Sequence, residues 1–180
     1  MQQPLANHSE PDETILISSA KSGDITAYRM LYQMHVAMVY GLACRLVRDR
    51  SAAEDVTQEV FIKVWKDIGS FRGDAKLSTW LHRICSLTAI TYLRRQRGWL
   101  TRVVIDDDSI PEIADDSMNE VDFDSYVRRL PERARIVFVL HAIEGYRHDE
   151  IAELCHMAVG SSKAQFHRAR QLLEKWMSHE

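Results

Sequence analysis

The last helical stretch of the chain, SSKAQFHRARQLLEKWM, sets Lys163, His167, Arg168 and Arg170 at helical spacing, with Ser161, Ser162 and Ala164 beside them. Cations and forked donors on one helix suit phosphate oxygens and base edges. A bidentate arginine on guanine contributes about 1–3 kcal/mol of discrimination. A second group, Phe71, Arg72, Asp74 and Lys76, lies in GSFRGDAKLS. An aromatic face can hold an unstacked base while neighbouring donors and acceptors meet its edge. Phe71 and Trp80 read equally well as core anchors, and core is the stronger reading for Trp80. Ser78, Thr79, His82 and Arg83 follow at the start of a helix whose first N–H groups face anions. Arg94, Arg95 and Arg97 close that helix. A fourth group, Asp55, Gln58, Glu59 and Ile62, shares one helical stripe. An isoleucine rimmed by polar groups suits a protein partner, although a charged stripe taken alone is more often a solvated face.

Enzyme chemistry has no comparable support. The chain has no glycine-rich phosphate loop and no Ser/His/Asp order of a known hydrolase. Its eight histidines form no dense ligand cluster. His82 with Cys85, or Cys155 with His156, has zinc-binding residue types, but a core thiol beside a surface imidazole is the stronger reading. No metal and no cofactor is expected.

The elements that must position these groups are helices. In EDVTQEVFIKVWKDI, Val56, Val60, Val64, Phe61, Trp65 and Ile68 recur at three and four and predict one buried face. A short helix is expected over residues 12 to 21. A long one is expected over 26 to 47, and Ser51 is a candidate N-cap for the next. Glycines and charges break the chain near residues 69 to 77 before a helix running to Arg97. Leu130-Pro131 opens another helix, with Ile136, Val137, Val139, Leu140 and Ile143 on its buried side and Gly145 at its end. HDEIAELC, a turn at residues 156 to 160 and the last basic helix then make a helix-turn-helix pattern. No stretch alternates convincingly with period two. The fold class is all-α, in two small helical domains.

The net charge of −3 hides an uneven distribution. Residues 106 to 124 hold nine acids and no base, whereas residues 1 to 105 hold 14 Lys+Arg against 10 acids and residues 125 to 180 hold nine against seven. Two mildly basic segments flank an acidic connector, so overall charge does not exclude nucleic acid. The expected division is a loose arm over 1 to 11, a domain over 12 to 98, a flexible acidic linker over 99 to 124 and a second domain over 125 to 180. Cys44, Cys85 and Cys155 sit in apolar helical patterns and are expected as core thiols. No apolar run approaches membrane-spanning length and no signal pattern opens the chain, so no membrane insertion and a cytoplasmic location are expected.

SAAEDVTQEVFIKVWKDIGSFRGDAKLSTWLHRICSLTAITYLRRQR resembles region 2 of bacterial extracytoplasmic function (ECF) sigma factors. LPERARIVFVLHAIEGYRHDEIAELCHMAVGSSKAQFHRAR resembles their region 4. The AEDVTQEVF…VW, FRGD and TWL segments are the specific part. The resemblance implies a factor that binds core RNA polymerase, recognises promoter DNA and promotes strand opening. Region 2 would grip the β′ coiled coil through Asp55, Gln58, Glu59 and Ile62. It would open the minus-ten element with the 69-to-77 loop and Ser78, Thr79, His82, Arg83, Arg94, Arg95 and Arg97. Region 4 would dock on the β flap and read the minus-thirty-five element through Ser161, Ser162, Lys163, Ala164, His167, Arg168 and Arg170. An anti-sigma factor is the implied inhibitor. The acidic linker is either an RNA mimic in a basic channel or a soluble spacer. The turn departs from the family pattern. His156-Met157-Ala158 replaces a Gly-Ile-Pro-like sequence, and Ser162 stands where an apolar residue is common.

Overall fold

The computed structural model describes residues 12 to 97 and 123 to 178. The arm over 1 to 11 and nearly all of the acidic connector therefore lie outside the described residues. The first half is a four-helix unit of α1 (Glu13–Lys21), α2 (Ile25–Val47), α3 (Arg50–Asp67) and α4 (Leu77–Arg97), with a 3₁₀ turn at Ile68–Ser70. The second half holds α5 (Phe123–Arg129), α6 (Glu132–Phe138) continued by a π turn (Val139–Ile143), α7 (His148–Cys155) and α8 (Val159–Met177). Among the described residues there is no strand.

Aspartates start the first three helices. Asp12 accepts from the Thr14 amide, Asp24 from Thr26 and Ala27, and Asp49 from Ala52 at 2.7 Å. Each satisfies amides that have no partner inside the helix. Asp49, not Ser51, caps α3. Pro131 stands one place earlier than expected, at the cap of α6, where its missing N–H costs nothing.

α2 is the centre of the first unit. Its Leu31, Val39, Leu42 and Leu46 share one buried core with Val56 and Val60 of α3 and Leu81 and Ile90 of α4. By length and composition α2 is apolar enough to cross a membrane, which corrects the expectation that no run approaches that size. Its apolarity is used instead for packing on α1, α3 and α4. All three cysteines are thiols, and burial pushes Cys85 and Cys155 up to about 12.

The two halves touch, which their sequences do not show. α2 meets α5 and α6, and α4 meets α7. Arg135 of α6 is 2% exposed, and its guanidinium donates to the Leu46 carbonyl of α2 at 3.2 Å and to the Leu130 carbonyl at 3.3 Å. Arg45 of α2 holds Asp124 of α5 with two hydrogen bonds of 3.0 and 2.8 Å. Asp124 therefore serves as a helix residue paired across the halves rather than as linker.

α7 ends in a residue that opposes its own conformation. His156 has φ 51 and ψ 52, the left-handed region that favours glycine. His156→Gly is expected to raise stability by about 1 kcal/mol. Urea denaturation checks this, and a loss of stability would show that the imidazole contributes more than its backbone strain removes.

Candidate polymerase and nucleic-acid interfaces

The α3 stripe is open to solvent. Asp55 and Gln58 are exposed, Ile62 is 55% exposed, and Glu59 pairs with Lys63 at 2.8 Å. Trp65, which the spacing places on the buried face, is 39% exposed. Its ring lies 4.8 Å from Tyr28, whose hydroxyl donates to the Phe61 carbonyl. Trp65 stands one turn beyond Ile62 and extends the apolar patch; the spacing of three from Ile62 was the available signal.

In the loop before α4, Arg72, Asp74 and Lys76 are exposed, and Arg72 pairs with Asp74 at 3.0 Å. Phe71 is not available there. It is 8% exposed, packs on Trp80 with centroids 5.2 Å apart, and Lys21 of α1 donates to its carbonyl. Phe71 is thus packed as a core anchor, one of the two readings its sequence allows. Neighbouring Gly73 takes φ +81, a turn conformation suited to glycine.

Thr79, Arg83, Arg94 and Arg95 are exposed on α4, and Ser78 and His82 are half-buried. The side chain of Arg97 lies outside the described residues. Ser78, Thr79, His82, Arg83 and Arg94 line one wall of a cleft of about 800 Å³. Glu144, Glu150 and Glu153, from the π turn and α7 region, stand on the opposite wall. His82 bonds Glu144 across it. Tyr146 also faces α4; burial raises its phenol, partly offset by Ser86 and Arg83. The cationic face of α4 therefore meets carboxylates of the second half.

On α8, Ser161, Lys163, Ala164, His167 and Arg170 are exposed and Arg168 is half-buried. Arg170 pairs with Glu174 at 3.2 Å. Ala169 and Leu173 hold the other side of the helix to the core. Ser162 departs from expectation: it has no exposed surface, and its hydroxyl is 2.9 Å from His148 Nδ1. It lies inside the junction of α7 and α8 and does not face a ligand. Neither serine caps α8, whose cap position is Ala158. At the start of α7, Arg147 pairs with Asp149 and holds its carboxyl down at about 2.

The arrangement is therefore a helical bundle with an open polar-and-apolar stripe, followed by a helix-turn-helix unit with a basic helix. The Sigma-70 region 2 family matches residues 31–104, and Sigma-70, region 4 matches residues 120–173. The RNA polymerase sigma-H factor of Pseudomonas aeruginosa is 30% identical, over 89% of this chain and 91% of its own. The ECF RNA polymerase sigma-E factor of Haemophilus influenzae is 30% identical, over 88% and 92%. The chain belongs to the ECF sigma factors of the sigma-70 family. Solved structures agree on the fold. CnrH in complex with the cytosolic domain of CnrY aligns at a TM-score of 0.53 and 24% identity, over 93% of this sigma factor and 98% of that chain. The sigma factor RpoE of Bartonella quintana, in complex with the anti-sigma factor NepR, aligns at 0.54 and 22%, over 86% and 98%. The α3 stripe and the α4 face thus belong to region 2 of this sigma factor, and α8 to its region 4.

Proposed function

We propose that this ECF sigma factor directs core RNA polymerase to promoter DNA and opens it, without catalysis of its own, in the cytoplasm. Asp55, Gln58, Glu59 and Ile62, extended by Trp65, bind the β′ coiled coil. The loop residues Arg72, Asp74 and Lys76, with Ser78, Thr79, His82, Arg83, Arg94, Arg95 and Arg97, engage the minus-ten element. Phosphate contacts of this kind supply affinity and salt dependence more than sequence choice. Ser161, Lys163, Ala164, His167, Arg168 and Arg170 meet the minus-thirty-five duplex, and region 4 docks on the β flap. An anti-sigma factor holds the two halves together when the signal is absent, as the family resemblance implies.

The observation that supports this best is the exposed Ile62 on a polar stripe, in a chain that matches both sigma regions. The α4 cations Arg83 and Arg94 share their cleft with Glu144, Glu150 and Glu153, whose charge opposes DNA phosphate while the halves are in contact. A gel shift with promoter DNA should therefore be weak with the purified chain and strong once sigma-free core enzyme is added. Tight, specific binding by the chain alone would instead make it an autonomous helix-turn-helix repressor.

A further inference from the structure

Three elements meet beside the first turn of α8, and two histidines fill the junction. His141 lies in the π turn that closes α6, and His148 is the first residue of α7. Their rings stack with centroids 4.1 Å apart and planes 24° apart. His141 Nδ1 donates to the Tyr146 carbonyl at 2.7 Å, and His148 Nδ1 meets the buried Ser162 hydroxyl at 2.9 Å. Phe166 of α8 closes the pile edge-on, 4.7 Å from His141 and 5.8 Å from His148. The charged groups facing His148 are Lys163 of α8 and Asp149 of α7, and Arg147 already engages Asp149.

We propose that His141 and His148 are positioning residues that form a proton-sensitive wedge. The stacked pair seats the first turn of α8, and duplex binding weakens when the pair takes up a proton. The wedge bears on promoter binding only if α8 is the duplex-reading helix proposed above. An apolar contact would hold the three helices together at any pH. Two stacked imidazoles at 4.1 Å do so only while His148 is neutral, because a cation on its ring would be desolvated and repelled by Lys163. Desolvation, then His141 and Lys163, already hold His148 below the ordinary imidazole value. The seated form is therefore complete above that ordinary value and is lost as pH falls through the lowered one. The turn is affected along with the helix, because Ser162 leads directly into Lys163 and Ala164.

The full-length chain, with and without core polymerase, provides the test. Histidine-ring NMR resonances followed from about pH 8 to about pH 5 should show the Ser162 amide and the His141 ring signals moving in step with the titration of His148. A Ser162 amide that stays static while His148 titrates would overturn the wedge, and this readout does not depend on DNA. In the second arm, a duplex is selected by the holoenzyme at about pH 7.5. Its Kd should rise by up to about tenfold at about pH 5.5, the ceiling for one proton bound below the ordinary histidine value. His148→Asn offers an amide at the Nδ1 position but does not titrate, and should flatten that ratio to within about twofold. An undiminished ratio in His148→Asn would overturn the proposal, as would tighter binding in acid, which would mean that the imidazoles meet phosphate directly. If the holoenzyme selects no duplex upstream of the melted element, the role of α8 fails while the NMR arm still judges the wedge.

Discussion

Arg135→Ala should destabilise the full-length chain by about 3 kcal/mol. The guanidinium is 2% exposed and donates to two carbonyls from separate helical units. The Leu46 carbonyl lies in the last turn of α2, where backbone oxygens have no partner within the helix and a cation is favoured. Truncation removes the donor, leaves buried oxygens behind and opens space between α2 and α6. Arg135→Met refills part of that space and should cost less than alanine. Arg135→Lys should recover only part of the loss, because a single ammonium does not reproduce the planar fork. Calorimetry measures these differences. It should also show the unfolding of the two halves drawing apart in Arg135→Ala, because the bond to Leu46 spans them. A change under about 0.5 kcal/mol would mean that the guanidinium contributes little net stability.

Ile62→Asp should leave stability within about 0.5 kcal/mol of the parent and weaken core polymerase binding about thirtyfold, or about 2 kcal/mol. The two expectations separate because Ile62 is 55% exposed on the stripe that holds Asp55 and Gln58, whereas α3 is held by Val56, Val60, Phe61 and Val64 on its other side. An aspartate there would bring an unpaired charge into the centre of a contact. Fluorescence anisotropy of the labelled chain against core enzyme gives the affinity, and thermal denaturation gives the control. Unchanged affinity would remove Ile62 from the polymerase face.

Local pattern accounts for most of what could be read in advance. The valines of α3, the break at residues 69 to 77, and the α7-turn-α8 unit follow from periodicity and turn chemistry, which act over a few residues. Several features that escape local pattern involve contacts between residues distant in the chain. Phe71 sits in a loop with no period to read, and its burial depends on Lys21 and Trp80. Arg135 belongs to a residue type usually found at the surface, and its partner Leu46 is 89 residues away. Trp65 falls on the apolar side of a helical projection, but α2 covers that edge only in part, through Tyr28, and the indole stays 39% exposed. Ser162 is partly legible: the family resemblance implies an apolar, inward-facing residue at that position, and His148 supplies the partner that a buried hydroxyl requires.

The central claim is tested most directly by mixing the purified chain with bacterial core polymerase stripped of its own sigma subunit. Size-exclusion chromatography followed by a strand-opening assay on promoter DNA gives the readout. The two should co-elute as one complex that opens the promoter, with Ile62→Asp eluting apart. Separate elution of the unmodified chain at concentrations that saturate an established sigma factor would contradict the account.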